Sequence, residues 1–456
     1  MSSAREFTPA REAGKAAKPT RVRWRILTLL VGLAMLSYVL RMNISIAGQP
    51  IMHEFHLSPV RLGWVFSAFL FSYTACMTMG GAWTDRFGPR LTLGVAAMSW
   101  SLLTILTAVL PGRVVTSATG VLASLLLVQV ALAVSQAPMF PGAANAVSHW
   151  LGKSERAFAC GALVTGCLIG SAINAPLGSY MMVHLGWRGG LLAISTIGPP
   201  LALLWTWYAT DHPRDHRGVN QLELEIIVAD STAAEPLPPP KGAWKVLLKD
   251  GQVWKVVIVY GLECYVEYMF LWWGFIYLVE VRKFSILRGG MASALPFILG
   301  SITTPAFGAL SDGLSGRLGA RWGRRIVPVV CLSAAAVLVY VGAHAPDARV
   351  AVLVLSLGAA FAWGAEGPAW TTATGFARHA AGTAAGLMNT GGNFGGGLAA
   401  FLSAWIAQQV GWAGAFTVGS ALALLGSILW MTIDATHRVP APNPTAAVTR
   451  HNSVRL

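Results

Sequence analysis

The sequence predicts an all-α membrane protein: twelve transmembrane helices in two six-helix bundles related by pseudo-twofold symmetry. Four observations predict it. Apolar residues fill 55% of the 456 positions and charged residues only 11%, where soluble chains carry roughly a quarter charged. A mean hydropathy of +0.58 leaves too little polar surface to cover the chain in water. About twelve apolar runs recur, each near the roughly 20 residues a helix needs to cross a bilayer. Finally, a short glycine–acid–arginine motif occurs twice, about half a chain apart.

The first run, 26–47, follows a polar tail of about 25 residues and exceeds a signal-peptide core of roughly 7–15, so the tail is expected to be retained and disordered. The second run, 62–83, starts after Arg61 and stops before Arg86; the third, 90–110, stops before Arg113. The fourth, 118–140, precedes Lys153 and Arg156; the fifth, 157–183, precedes Arg188; the sixth is 189–209. The longest break, 210–253, holds Asp211-His212-Pro213, an acidic patch at Glu223 and Glu225, and the proline-rich 236–240. It reads as a cytoplasmic linker with a short surface helix near Gln221–Val228. Beyond it come 254–279 before Arg282 and Lys283, 290–310 before the Arg317–Arg325 cluster, 326–345 before Arg349, 350–374 before Arg378, then 382–407 and 412–433. Gly and Pro inside these runs are compatible with membrane helices, whose freed backbone groups find other partners. The expected domains are a tail 1–25, bundles 26–209 and 254–433 flanking the linker 210–253, and a tail 434–456.

Loop charges orient the chain. Arg5, Arg11, Lys15, Lys18, Arg21, Arg23, Arg25, Arg86, Arg90, Lys153 and Arg156 fall on one side. The same side continues with Arg214, Arg217, Lys241, Lys245, Lys249, Arg317, Arg321, Arg324, Arg325, Arg378, Arg438, Arg450 and Arg455. The other side has only Arg61, Arg113, Arg188, Arg282, Lys283, Arg288 and Arg349. The positive-inside rule makes the first side cytoplasmic, both termini included, as for a bacterial inner-membrane protein. The net charge of +14 therefore belongs to basic loops. It forms no stripe with interleaved aromatics, which excludes a nucleic-acid partner. Cys76, Cys160, Cys167, Cys264 and Cys331 lie in apolar stretches without metal-ligand spacing and read as packing residues. No nucleotide loop, metal cluster or nucleophile–base arrangement is present in the sequence, so neither an enzyme nor a cofactor is expected.

The repeated motif is Gly81-Ala82-Trp83-Thr84-Asp85-Arg86-Phe87-Gly88-Pro89-Arg90 after the second run. Gly308-Ala309-Leu310-Ser311-Asp312 after the eighth continues through Arg317 to Arg321-Trp322-Gly323-Arg324-Arg325. Glycine lets two helices approach closely, and the acid sits at a helix end. The arginines can pair with that acid or with the C-terminal carbonyls of a neighbouring helix. Such a network can hold one conformation and break in the other, which makes Gly81, Asp85, Arg86, Arg90, Asp312, Arg317 and Arg321 candidate gating residues. Duplication at equivalent places is what an internal repeat requires.

With these motifs the chain resembles the major facilitator superfamily over about residues 20–435, and within it the anion:cation symporter branch of phthalate, hexuronate and aldonate permeases. The resemblance is carried by Tyr38-Val39-Leu40-Arg41-Met42-Asn43, Phe66-Ser67-Ala68-Phe69 with Tyr73, and Ala137-Pro138-Met139-Phe140-Pro141-Gly142. Gly186-Trp187-Arg188 and Gly386-Leu387-Met388-Asn389-Thr390-Gly391-Gly392-Asn393 complete it. It implies two bundles around a central cavity lined mainly by helices 1, 4, 7 and 10, working by alternating access. Three charges of that family pattern are missing. Leu40 stands where relatives place an Asp, Gln129 where they place an Arg, and Gln136 where they place a Glu.

An ionisable group in a bilayer core is a functional candidate by default. Arg41 is the candidate anion clamp, because guanidinium stays charged and offers a bidentate fork to carboxylate or sulfonate; its other reading is a structural partner for a glutamate. Glu366, four residues before Trp370, is the candidate proton-coupling residue, replacing the missing acids, or else a structural glutamate paired with Arg41. Of Glu263 and Glu267, one can face the cavity while the other bonds between helices. Tyr38, Tyr73, Gln129, Gln136, Tyr265, Trp370, Asn389 and Asn393 are candidate substrate-binding groups, with helix bridging as their alternative. Trp272 and Trp273 wall the cavity or sit in the interfacial belt. The chain is thus expected to be a monomeric carrier importing a small organic anion with protons. An uncoupled facilitator or exchanger is the alternative in transport, and a non-transporting membrane sensor the alternative of another class.

Overall fold

Length alone requires some of the helices to break. A helix rises about 1.5 Å per residue, so one of 51 residues would overreach a roughly 30 Å hydrocarbon core more than twice. In the computed structural model, which describes residues 18–231, 243–377 and 380–441, the chain turns such lengths back at glycine. The expected tails before residue 18 and beyond 441, the proline-rich segment and Arg378 lie outside the described residues.

α1 (Val22–Phe55) carries the first run. α2 (Pro59–Val109), capped by the Ser58 side chain on the Arg61 amide, holds the second and third runs and breaks at Gly88, where φ is 77°. That left-handed backbone suits a residue without a Cβ, and Pro89 follows it. The fourth run bends at Ala137-Pro138, between α3 (Ala118–Gln136) and α4 (Met139–Trp150). α5 (Lys153–Ser195) breaks at Gly186 and leads into α6 (Gly198–Tyr208). Two short helices, α7 (Gln221–Ser231) and α8 (Ala243–Leu247), lie in the expected linker.

α9 (Gly251–Ile276) starts on an Asp250 cap. α10 (Ile286–Leu318) and α11 (Ala320–His344) meet at Gly319. The tenth run is divided at Ala365 into α12 (Ala348–Gly364) and α13 (Glu366–Phe376). α14 (Ala381–Trp430) holds the last two runs and breaks at Gly411. Among the described residues nine helical stretches are long and apolar enough to cross a membrane, and three of them contain one of these glycine breaks. Six of the twelve runs of the sequence are therefore paired within three of these stretches, each pair joined by a tight glycine turn.

α7 is more than a surface helix. Glu223 is fully buried and caps the start of α1: it accepts from the Thr20 hydroxyl at 2.5 Å and from the Val22 and Arg23 amides at 3.1 Å each. Glu225 stays exposed beside Gln221.

Helices before and after the linker meet directly on the side away from the motif loops. Gln49 donates to Glu280 at 2.9 Å, and His53 lies 2.7 Å from the same carboxylate. Ser67 donates to the Gly397 carbonyl at 2.7 Å. Phe66 stacks on Trp272 at 4.6 Å between ring centroids, and both are buried. Around Ser67, Phe66 and Trp272 this seam is closely packed.

Candidate functional site

Below that seam the helices part around a cavity of about 430 Å³. The α1 register puts Tyr38 and Arg41, three residues apart, on one face toward it. α2 contributes Tyr73 and Met77, and α5 contributes Cys167 and Ser171. α9 presents Tyr260, Cys264, Glu267, Tyr268 and Leu271, a single stripe at helical spacing. Glu366 and Trp370 come from α13, Asn389 and Asn393 from α14. Residues such as Pro141, Ala144 and Gly382 extend the lining toward the motif loops.

Arg41 is 1% exposed, yet it borders the cavity. Its guanidinium carbon stands 4.6 Å from the Tyr38 ring centre and 4.8 Å from those of Phe69 and Tyr73. An aromatic cage of this kind attracts a cation through the ring quadrupoles. Nε donates to the Gln136 carboxamide oxygen at 3.0 Å. No ion pair joins Arg41 to a carboxylate among the described residues.

The acids stand across the cavity. Glu366 accepts from the Tyr260 hydroxyl at 3.4 Å. Glu267 borders the cavity with its Oε1 buried and unpartnered. Glu263 is fully buried, outside the lining, with neither carboxylate oxygen bonded. Tyr268 donates to Asn393 at 3.4 Å, and Asn393 donates in turn to the Asn389 carbonyl at 3.0 Å.

The structure therefore gathers Arg41, Tyr38, Tyr73, Glu267, Glu366, Trp370, Asn389 and Asn393 around one space. Gln136 lies behind Arg41 and Gln129 elsewhere in the packed interior, both buried and outside the lining. Tyr265 points between helices, where its hydroxyl accepts from Ser403 at 3.2 Å. Trp272 and Trp273 belong to the closed seam; Trp273 donates to the Ala400 carbonyl at 2.9 Å. Tyr268 was missed in the sequence; it follows Cys264 by one turn, a spacing that could have revealed it. Gln136, read as a binding group or a helix bridge, takes the bridging place.

Among the gating candidates, neither Asp85 nor Asp312 pairs with an arginine among the described residues. Asp85 accepts from Asn145 at 3.3 Å. Arg90 donates through Nε to the Thr206 carbonyl at 2.8 Å, near the C-terminal end of α6. Gly81 opens the segment, and the Arg86 guanidinium lies over Phe87. In the second copy Arg325 reaches the Ile433 carbonyl, while Arg317 and Arg321 make no hydrogen bond or ion pair among the described residues. The Gly186-Trp187-Arg188 turn binds the end of α1: Arg188 takes both Glu54 oxygens at 2.7 and 2.9 Å, and the Trp187 indole donates to Glu54 at 2.7 Å. All five cysteines are free, and no group of three or more His, Cys, Asp or Glu able to hold a metal occurs among the described residues.

Comparison with known proteins agrees with this architecture. The sequence profile of the Major Facilitator Superfamily matches residues 29–315 and 313–455. A probable sulfoacetate transporter of Cupriavidus necator is 29% identical over 439 residues, covering 94% of this chain and 98% of the relative. A D-galactonate transporter of Escherichia coli is 27% identical, covering 92% and 97%. A hexuronate transporter of Bacillus subtilis is 27% identical, covering 86% and 90%. Among solved structures, a bacterial homologue of the human lysosomal transporter Spinster, in an inward-facing and occupied conformation, superposes with a TM-score of 0.69 at 17% identity. That match covers 92% of this chain and 96% of the other.

Proposed function

The chain belongs to the Major Facilitator Superfamily, a family of membrane transporters, and from that premise we propose a secondary carrier that imports a small organic anion together with protons. The observation that carries the reading is Arg41: a buried guanidinium at a cavity wall, caged by aromatic rings, with no carboxylate paired to it among the described residues. A buried charge without a counter-ion is costly, and a carboxylate or sulfonate from outside supplies the missing partner with matched geometry. Relatives named for sulfoacetate, D-galactonate and hexuronate support this substrate class.

The protein works as a monomer in the cell inner membrane, its termini and motif loops in the cytoplasm, and the bundles on either side of the linker rock about the central site. The conformation described here is then inward-facing. Glu366 carries the coupling proton, since it borders the same cavity and its carboxylate can be charged or neutral at little cost to its one hydroxyl partner. Leu40, Gln129 and Gln136 favour a second reading, an uncoupled facilitator or exchanger, because three ionisable positions of related symporters are neutral here.

Binding by purified protein of sulfoacetate, galactonate and hexuronate tests the first claim. Arg41→Ala is expected to abolish binding, and unchanged affinity removes the clamp. Glu366→Gln in vesicles tests coupling: accumulation driven by a pH gradient should stop while exchange continues. Survival of pH-driven accumulation moves the proton site to Glu267 or Glu263.

A further inference from the structure

Lys18, Arg21, Arg23 and Arg25 surround the start of α1, and they are not engaged alike. Arg23 is held by acids: it pairs with Glu155 at 3.2 Å and with the buried Glu223 at 3.3 Å. Lys18, Arg21 and Arg25 make no ion pair among the described residues. With Tyr208 from the end of α6 and His216 from the linker, these three border a second cavity, of about 450 Å³. No acid lines it among the described residues.

The neutral groups of this pocket are also set as donors. The Arg25 guanidinium donates to the Tyr208 hydroxyl at 3.5 Å, which leaves the hydroxyl hydrogen for an acceptor. His216 Nδ1 accepts from the Gly218 amide at 3.0 Å, so a neutral ring carries its hydrogen on Nε2. Three cations and two further donors around one space specify an anion with several oxygens, such as a phosphate diester.

The position of the pocket specifies what carries that phosphate. Arg25 precedes the first apolar run and Tyr208 ends the sixth, so both stand at the hydrocarbon edge on the side of the motif loops. One turn deeper come Leu29 on α1 and Leu204 on α6, and Leu204 is exposed. Trp207, its ring next to that of Tyr208, is 78% exposed, as suits an interfacial belt. A soluble phosphate would use the basic groups and leave this apolar strip bare, whereas an acyl chain covers it.

We propose that this pocket binds an anionic phospholipid, its phosphate among Lys18, Arg21 and Arg25 and its acyl chains along α1 and α6 over Leu204. Basic pockets between membrane helices suit such headgroups. The bound lipid fastens the start of the linker, through His216, to both helices.

The test follows the melting temperature of the purified full-length protein in mixed micelles as lipid is added. Phosphatidylglycerol is expected to raise it saturably. Phosphatidylcholine with the same chains, whose choline the three cations repel, should not; equal effects of the two lipids overturn the anionic site. Glycerol phosphate, a headgroup without chains, should need a concentration at least about a hundred-fold higher. Action at the same concentration makes this a free-phosphate site and overturns the lipid. Arg21→Ala and Arg25→Ala should each raise the half-saturating phosphatidylglycerol about five-fold, the usual contribution of one basic residue beside anionic lipid. Lys245→Ala with Lys249→Ala removes two exposed charges outside the pocket and should change nothing. If that pair loses as much as the pocket variants, the attraction belongs to the basic surface as a whole and the site is overturned. Should an arginine variant fail to fold, the lipid series on the wild type still decides.

Discussion

Gln136 is fixed at both ends of its carboxamide: the oxygen accepts from Arg41 Nε at 3.0 Å, and the nitrogen donates to the Ser37 carbonyl at 3.0 Å, one turn earlier on the same helix as Arg41. The amide thus clips the guanidinium to its own backbone without neutralising it. A glutamate in that place would be a resident counter-ion competing with any anion for Arg41.

Gln136→Glu is therefore expected to weaken anion binding on the order of ten-fold at neutral pH, the worth of a charged hydrogen bond. The loss should shrink as the medium is acidified and the introduced carboxyl takes up a proton. Affinity measured from pH 5 to pH 8 checks it. A loss equal at all pH values would mean that the amide matters only for shape.

The closed seam depends on close backbone approach. A Cβ at Gly63 would lie 2.7 Å from the Ala400 carbonyl oxygen, which belongs to backbone and cannot swing aside. Gly63→Val should wedge this seam and populate the conformation open on the other face. Cys167, which borders the cavity, would then react with a membrane-impermeant maleimide added outside intact cells. Wild-type protein should label much more slowly, and equal rates would disprove the wedge.

Glu223 ties the linker to the first helix through a buried carboxylate bonded to Thr20, Val22 and Arg23. Its removal strands those donors, so Glu223→Ala should cost about 3 kcal/mol, the scale of a broken buried ion pair, seen as a lower melting temperature in detergent. Glu225→Ala, at an exposed position, should stay within about 0.5 kcal/mol of wild type.

Asp250 gives a pH signature. Burial alone would raise its carboxyl, but the His437 imidazole at 2.7 Å and the Val253 and Gln252 amides hold it below the ordinary aspartate range. A folded-state value below the unfolded one means stabilisation that is complete above about pH 4 and lost as the pH falls through the folded value. Asp250→Ala should therefore melt earlier by about 1 kcal/mol near neutrality. That gap should hold steady down to about pH 5 and then close. A gap that widens toward acid would contradict the sign.

The runs, their order and the lone guanidinium of the first run were legible in the sequence because each depends on what a short segment contains. An arginine inside an apolar run has few readings, and the structure sets Arg41 at a cavity. The faces of α9 were less legible. Glu263, Tyr265, Glu267 and Tyr268 are all buried, so apolar periodicity cannot tell the cavity side from the packed side. Tyr265 was chosen where Tyr268 borders the space, and each residue turns the helix by about 100°. Glu223 was read as a surface charge because its donors lie two hundred residues earlier.

Hydropathy and segment length, which the sequence carries by itself, determined that this chain enters a membrane, where it turns, and which ionisable groups are submerged. Only tertiary structure decided which of those groups share a cavity, that Arg41 faces an amide and rings instead of an acid, and that Glu267 is left without a donor. The first set follows from transfer energies of contiguous residues. The second depends on the rotation and approach of helices far apart in the chain, which no local pattern encodes.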